Sequence, residues 1–259
     1  MCREMIRVMR LADDKSDKFW RIETLGSDFV INWGKTGTSG RYELKACQDE
    51  DSCQRQVDEL IRVKIKKGYS DLTSFCPQGQ YYYDDDTFGL HPLTSHPVFR
   101  KYFTDDFYYS SVTESAPFGS DEGIDALWEL SDLLRRRPHA ELVDFPQSVL
   151  MKLYQLPYFP PHDETLDELR ELEGKEHAGQ PMLHVLRRTD RVIIASALAH
   201  IKITGELDSQ LHELALRAIA RLSKLTELGL PVRLTSDTLR AITEDLSRYD
   251  REVIRAKQA

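Results

Sequence analysis

The sequence predicts an α+β fold, a small antiparallel sheet packed on one helix followed by an all-α helical domain. Two observations carry this. Up to Ala46, apolar and polar residues alternate in short runs broken by Gly, Asp and Ser, as in half-buried strands; from Asp51 onward the apolar residues recur at helical spacing. Composition shifts divide the 259 residues into a first domain over 1–72, a linker or irregular arm over 73–97 and an acidic all-helical domain over 98–259.

The strands follow in order. Met5 to Leu11 alternates as a first strand, and Asp13 to Asp17 is a polar turn. Lys18 to Leu25 makes a second strand, with Trp20 and Ile22 on one face and Arg21 and Glu23 on the other. Gly26-Ser27-Asp28 is a short hairpin turn. In the third strand Phe29, Ile31 and Trp33 alternate with Val30, Asn32 and Gly34, which suits one buried face. A fourth strand carries Tyr42, Leu44 and Ala46 opposite Arg41, Glu43 and Lys45.

From Asp51 to Lys67 a helix is predicted, with Cys53, Val57, Leu60, Ile61 and Ile65 as its apolar stripe. Acidic residues open it and Lys64, Lys66 and Lys67 close it, as the macrodipole favours, before Gly68 stops it. Those lysines read either as dipole and solubility residues or as phosphate contacts. Over Thr73 to Pro97 the glycines and prolines break any period. Tyr81, Tyr82 and Tyr83 are expected to pack across the domain junction or to offer an aromatic partner surface with Phe107 and Tyr108. Asp84, Asp85 and Asp86 lack the ligand spacing of a calcium loop.

The helical domain begins near His96. Ser120 suits an N-cap, Asp121 and Glu122 suit a first turn, and Ile124, Leu127, Trp128 and Leu134 share a face of a helix that Pro138 terminates. Helical periods run over 144–155, 163–173, 190–204, 209–228 and 236–257. The run Val192 to Ala199, apolar on nearly all sides, is the predicted central helix, and His200 reads as a core or helix-end histidine.

Composition narrows the function. Net charge is −8, but residues 1–72 hold 14 Lys and Arg against 13 Asp and Glu, and residues 73–259 hold 21 against 30. The acidity lies outside the first domain, and the net charge argues against coating of nucleic acid by bulk attraction. Cys2, Cys47, Cys53 and Cys76 have neither zinc-site spacing nor the density of a disulfide scaffold, and read as free thiols. No apolar run approaches the ~18 residues that span a membrane, and the N-terminus offers no signal-peptide core, so a cytoplasmic location is expected.

One stretch points beyond packing. Val30 to Tyr42 reads as a strand ending at Trp33, then Gly34, Gly37 and Gly40 at intervals of three with Thr and Ser between them, a loop whose backbone amides are able to hold a phosphate. With Lys18 to Ile22 before it and the helix up to Tyr69 after it, this stretch resembles the WGR domain over Met5 to Tyr69, with Lys35 where the family usually has Arg. Lysine keeps the charge and lacks the planar fork that grips a phosphate with two bonds. The resemblance implies a sheet packed on one helix, used in the poly(ADP-ribose) polymerases to engage DNA ends. It assigns Trp33 to stack on an exposed base or sugar, and Lys35, Arg41 and the amides of the glycine loop, with Lys64, Lys66 and Lys67 nearby, to adjacent phosphates. Trp33 is equally well placed to close the core, and both roles hold if one ring face is buried.

In the helical part Pro117-Phe118-Gly119-Ser120-Asp121 is similar to a bacterial helical family of unknown function marked by Pro-Phe-x-Asn-Asp, with Ser120 in place of the usual Asn. Together the two signatures make the chain similar to bacterial WGR proteins of the YfeS type, a family that brings no assigned reaction.

Searches for chemistry return little. Gly34-Lys35-Thr36 imitates the end of a P-loop, but Phe29 stands where the leading Gly belongs and the loop joins strands. Ser120 lacks the flanking glycines of a nucleophile elbow. Asp121, Glu122 and Asp125 form an acid group at a helix start, where carboxylates are expected for stability. The ADP-ribosyltransferase strands that accompany WGR in the polymerases are missing. The expectation is a non-enzymatic nucleic-acid-binding protein without cofactor or metal. The alternative is a protein-interaction or immunity-type module.

Overall fold

A computed structural model describes residues 5–254, apart from Asp86 and Pro231. Cys2, Asp86, Pro231 and the final turn predicted up to Lys257 therefore lie outside the described residues. The chain forms two compact units, 1–97 and 98–259.

The first unit is a five-stranded antiparallel sheet in the order β4-β3-β2-β1-β5. Its strands are β1 (Ile6–Asp13), β2 (Ser16–Leu25), β3 (Asp28–Lys35), β4 (Arg41–Ala46) and the short edge β5 (Ser70–Asp71). A two-residue turn with Gly26 at φ +57° sets the β2–β3 register, pairing Trp20 with Trp33 and Lys18 with Lys35. Helix α1 (Glu50–Lys66) is closed at its start by a capping box between Asp49 and Ser52. Its Cys53, Val57 and Ile61 pack on Met9, Trp20, Ile22, Phe29 and Ile31. Ile65, predicted to continue that stripe, is exposed.

The sheet's other face is covered as well, which corrects the prediction of one buried face. Residues 73–97, predicted as a linker, belong to the first unit and fold across this face. Leu93 packs with Val30 and Leu44, and Tyr82 and Tyr83 are buried beside Tyr42. Arg21 and Glu23 are consequently buried. The Arg21 guanidinium lies over the rings of Tyr82, Tyr42 and Phe75. Several hydrogen bonds fix the segment: Tyr42 Oη donates to the Tyr81 carbonyl (2.8 Å), Thr94 Oγ1 to Asp84 (2.5 Å), and the Leu44 N–H to Asp85 Oδ2 (3.0 Å). An irregular, proline-broken chain hides such a role from any periodicity, since each residue anchors singly.

The second unit is helical: α2 (Pro97–Tyr102), α3 (Asp121–Arg136), α4 (Phe145–Tyr154), α5 (Leu166–Arg170), α6 (Met182–Thr204), α7 (Ser209–Glu227) and α8 (Ser236–Tyr249). A two-strand hairpin, β6 (Glu176–His177) and β7 (Gln180–Pro181), precedes α6. Ser120 caps α3 by accepting the Gly123 N–H. The helix predicted over 163–173 shortens to α5. The central helix starts at Met182, two turns before its predicted start at Asp190, since Arg187, Arg188, Asp190 and Arg191 look like surface residues in sequence. Asp190 and Arg191 are buried. Asp190 meets Arg221 Nε and Nη2 (2.9 and 2.7 Å), and Arg221 Nη1 also donates to Glu164 (2.7 Å). The last predicted helix ends at Tyr249 and continues as a π-helical turn, Asp250–Ile254.

Candidate nucleic-acid interface

Register assembles the site. Met9, Trp20, Trp33 and Arg41 stand side by side across β1 to β4, and Leu11, Lys18 and Lys35 form the next row. Side chains two apart on a strand share a face, so both rows project from the face that carries α1. The helix covers Trp20 fully and leaves Trp33 half-buried against the same core. Lys18, Lys35 and Arg41 are exposed around it. An indole with one side in the core and one side toward solvent, flanked by three cations, is therefore the outcome of a single hairpin register. Among the described residues none of the three cations has an ion-pair partner within 4.0 Å.

Lys18 was missed by sequence reasoning. The signal was the Gly26-Ser27 turn, which fixes the register and sets Lys18 opposite Lys35. Lys64, read as a helix-end charge or a phosphate contact, lies over Trp20 (5.3 Å to the ring centroid) and Tyr69 (5.2 Å). Burial first, and then Lys67, lower its ammonium pKa. Lys66 and Lys67 are exposed at the end of α1, and Lys64 is the one of the three that reaches the aromatic row among the described residues.

The glycine loop differs from expectation. Its amides are not all turned outward: Thr36 N–H donates to the Asp17 carbonyl (3.1 Å) and Thr38 N–H to the Lys35 carbonyl (3.1 Å). Asn32 Nδ2 ties the returning chain through the carbonyls of Ser39 and Arg41, both at 3.0 Å. Gly34 and Gly40 are glycine because their backbones touch. A Cβ on Gly40, which sits at φ +68°, would lie 2.6 Å from Phe19 Cζ and 2.7 Å from the Trp33 carbonyl oxygen. The loop is thus a packed turn that presents Lys35 and Arg41 at its two ends. Asp17 anchors it from the opposite face, accepting from Arg10 Nε and Nη2 (both 2.7 Å) and Thr36 Oγ1 (2.6 Å). Arg10 above all, then Thr36, holds the Asp17 carboxyl down at about 2.

The proposed aromatic partner surface is corrected by burial. Tyr82, Tyr83 and Tyr108 are buried, and Tyr108 Oη donates to Asp245 (2.8 Å); Tyr81 and Phe107 are half-buried. In the Pro117–Asp121 motif, Pro117 and Phe118 are core residues, Ser120 is a cap and Asp121 is exposed. Glu122 is engaged by Arg188 Nε (2.6 Å) and Arg191 Nη2 (2.7 Å), and Asp125 accepts from Tyr154 Oη (2.6 Å). Glu122 and Asp125 both act on Tyr154, while Asp121 stays exposed. Among the described residues no group of three or more His, Cys, Asp or Glu is placed to hold a metal ion, and no helix is long and apolar enough to cross a membrane. Cys47, Cys53 and Cys76 are free thiols.

The sheet-on-helix unit with Trp33 at its rim corresponds to a known domain. Residues 5–75 match the WGR domain. Over a longer stretch, the chain is 34% identical over 209 residues to the uncharacterized protein YfeS of Escherichia coli K12, covering 81% of this chain and 83% of YfeS. The chain belongs to the YfeS family. A second protein of that organism, YehF, is 40% identical over 57 residues, covering 22% of this chain and 21% of YehF. A crystal structure of a Bacteroides fragilis protein is 26% identical over 40% of this chain and 31% of that one; its TM-score of 0.26 carries no argument about the fold.

Proposed function

We propose that this YfeS-family chain is a non-enzymatic, cytoplasmic nucleic-acid-binding protein that engages DNA ends or nicks through the Trp33 face of its WGR domain. The observation that supports this is the half-buried Trp33 with Lys18, Lys35 and Arg41 exposed around it. Half-burial pre-orders the indole, so stacking on a terminal base costs little side-chain entropy, and such stacking contributes ~1–3 kcal/mol per base. The cations match the adjacent phosphates. The acidic helical unit limits non-specific attraction to duplex DNA by repulsion, and offers a regulatory or partner-binding surface. The competing reading, a protein-interaction or immunity-type module, has lost the aromatic surface that favoured it.

The test is fluorescence anisotropy of the full chain with 5′-phosphorylated nicked, blunt-ended and single-stranded DNA, with Trp33→Ala and Lys35→Glu as folded controls. End-selective binding that weakens with salt and is lost in both variants supports the reading. Absence of binding at low salt, or equal affinity for closed circular duplex, overturns it.

A further inference from the structure

We propose that the cavity where the turn after α5 meets the start of α6 and the end of α7 binds a small uncharged molecule, with an apolar body and one oxygen acceptor, independently of the Trp33 face. The cavity measures about 360 Å³, within the range of small-molecule sites. Its inner wall is apolar. Leu183 and Leu225 are buried there, and Leu172, Met182 and Leu230 are half-buried around them.

Local chain geometry builds this wall. Helix α7 ends with Gly229 at φ +77°, and the Leu230 N–H returns to the Leu225 carbonyl (3.1 Å), a cap that folds the two leucines toward each other. On the other side the Met182 N–H bonds the Lys175 carbonyl (2.9 Å) and closes the base of the β6–β7 hairpin. The four residues of that hairpin's strands are exposed. The hairpin therefore adds nothing to the core, and Lys175 and Pro181 at its base serve as rim.

Charges of both signs surround the cavity. Lys175 and Arg187 line it together with the carboxylate of Glu173. Glu122 supports the Arg187 charge, and Arg233, which opposes it, is paired with Glu114 at 3.9 Å. Glu173 and Lys175 are exposed, where solvent weakens their pull on a ligand. A charged head would lose hydration against the leucines and meet a like charge whichever its sign. An uncharged molecule bears neither cost.

One neutral donor fixes the ligand's polar end. Arg187 Nη2 lies 2.8 Å from His184 Nδ1. A guanidinium only donates, so Nδ1 accepts and Nε2 carries the hydrogen. Burial first, then Arg187, hold the imidazole toward the neutral form. His184 lines the cavity, so this N–H is offered to a hydroxyl or carbonyl oxygen.

The test uses the full-length chain with octanol, hexanol, octanoate and octylammonium at pH 7. Calorimetry is expected to give saturable one-to-one binding of octanol, with octanoate and octylammonium each at least tenfold weaker. Hexanol should bind roughly fifteenfold more weakly than octanol, at about fourfold per methylene buried. Leu230→Trp and Met182→Trp, which fill the cavity from opposite sides, should each weaken octanol at least tenfold. His184→Phe should weaken it about fivefold, whereas His184→Gln, which keeps an acceptor for Arg187 and a donor for the ligand, should recover most of the loss. Circular dichroism melts establish which variants are folded. No saturable binding of octanol, octanoate or octylammonium binding as tightly as octanol, hexanol binding as tightly as octanol, or unchanged affinity in a folded filling variant would each overturn the proposal. Lys35→Glu should leave octanol binding unchanged, so this site and the DNA reading stand or fall separately.

Discussion

The guanidinium carbon of Arg21 lies 4.5 Å from the ring centroid of Tyr82, and each residue is 1% exposed. Burial works against the charge, and Tyr42, Tyr82 and Glu23 more than offset it, so the arginine stays a cation inside the first unit. The aromatic rings that surround it come partly from the segment beyond residue 72. That segment is therefore part of the domain's core.

Truncation should expose this dependence. Tyr82→Ala is expected to cost about 3–5 kcal/mol, the usual loss for a large buried ring, and Arg21→Met a similar ~3–5 kcal/mol, because it leaves the buried Glu23 carboxylate without the cation that acts on it. Urea denaturation of the variants measures both. A fragment of residues 1–72 should lose the near-ultraviolet circular dichroism of the aromatic core, whereas residues 1–97 should retain it.

Two glycine substitutions in the loop should differ. Gly37 has φ +85° with nothing within 4 Å of an added Cβ, so Gly37→Ala costs only the backbone strain, about 1 kcal/mol. Gly40→Ala adds overlap with Phe19 and the Trp33 carbonyl to a similar strain, and should cost about 3 kcal/mol or more. Thermal denaturation distinguishes them; equal losses would mean that the loop yields freely.

If Lys18 and Lys35 meet phosphates together, replacing either by Gln should flatten the dependence of DNA affinity on salt by ~0.9 in the log–log slope. Their separation from the base should leave selectivity for ends largely intact. Trp33→Ala should do the reverse, lowering end selectivity with little change in slope. Anisotropy titrations at several salt concentrations read both quantities.

A pH response should arise at His200. Its Nδ1 accepts the Asp208 N–H (3.2 Å), and burial, against Asp208 and Glu206, lowers its pKa to about 4. The unfolded chain takes up this proton near 6.5, so between those values the unfolded state binds more protons. The contribution is complete above pH 6.5 and lost as pH falls toward 4, at ~1.4 kcal/mol per unit at most. His200→Gln should flatten this part of the curve, as followed by helical circular dichroism.

The sheet, α1 and the later helices were legible because period and turn chemistry are local. Trp20 and Ile22 alternate, Gly26-Ser27 closes a hairpin, and Ser120 precedes two acids and a helical stripe. Three parts were not legible. Arg21 and Glu23 looked solvent-facing because their cover has no period. Arg187 to Arg191 hid the first turns of α6, since the ion pairs of Arg188 and Arg191 with Glu122, and of Asp190 with Arg221, join residues far apart in sequence. Of the candidate site, Trp33, Lys35 and Arg41 were readable from the strand and loop. Lys18 needed the register, and the role of the glycines needed the distance between Gly40 and Phe19.

The Leu44 N–H faces away from β3, on the open margin of the sheet, and Asp85 occupies it. Another strand seeking to add itself there would have to displace a carboxylate and then lie beside it, which repels backbone carbonyls. The carboxylate thus guards β4 against edge-to-edge growth into fibres and against strand-exchanged dimers. Loss of Asp85 should be felt first in crowded solutions, as self-association, before it is felt as unfolding.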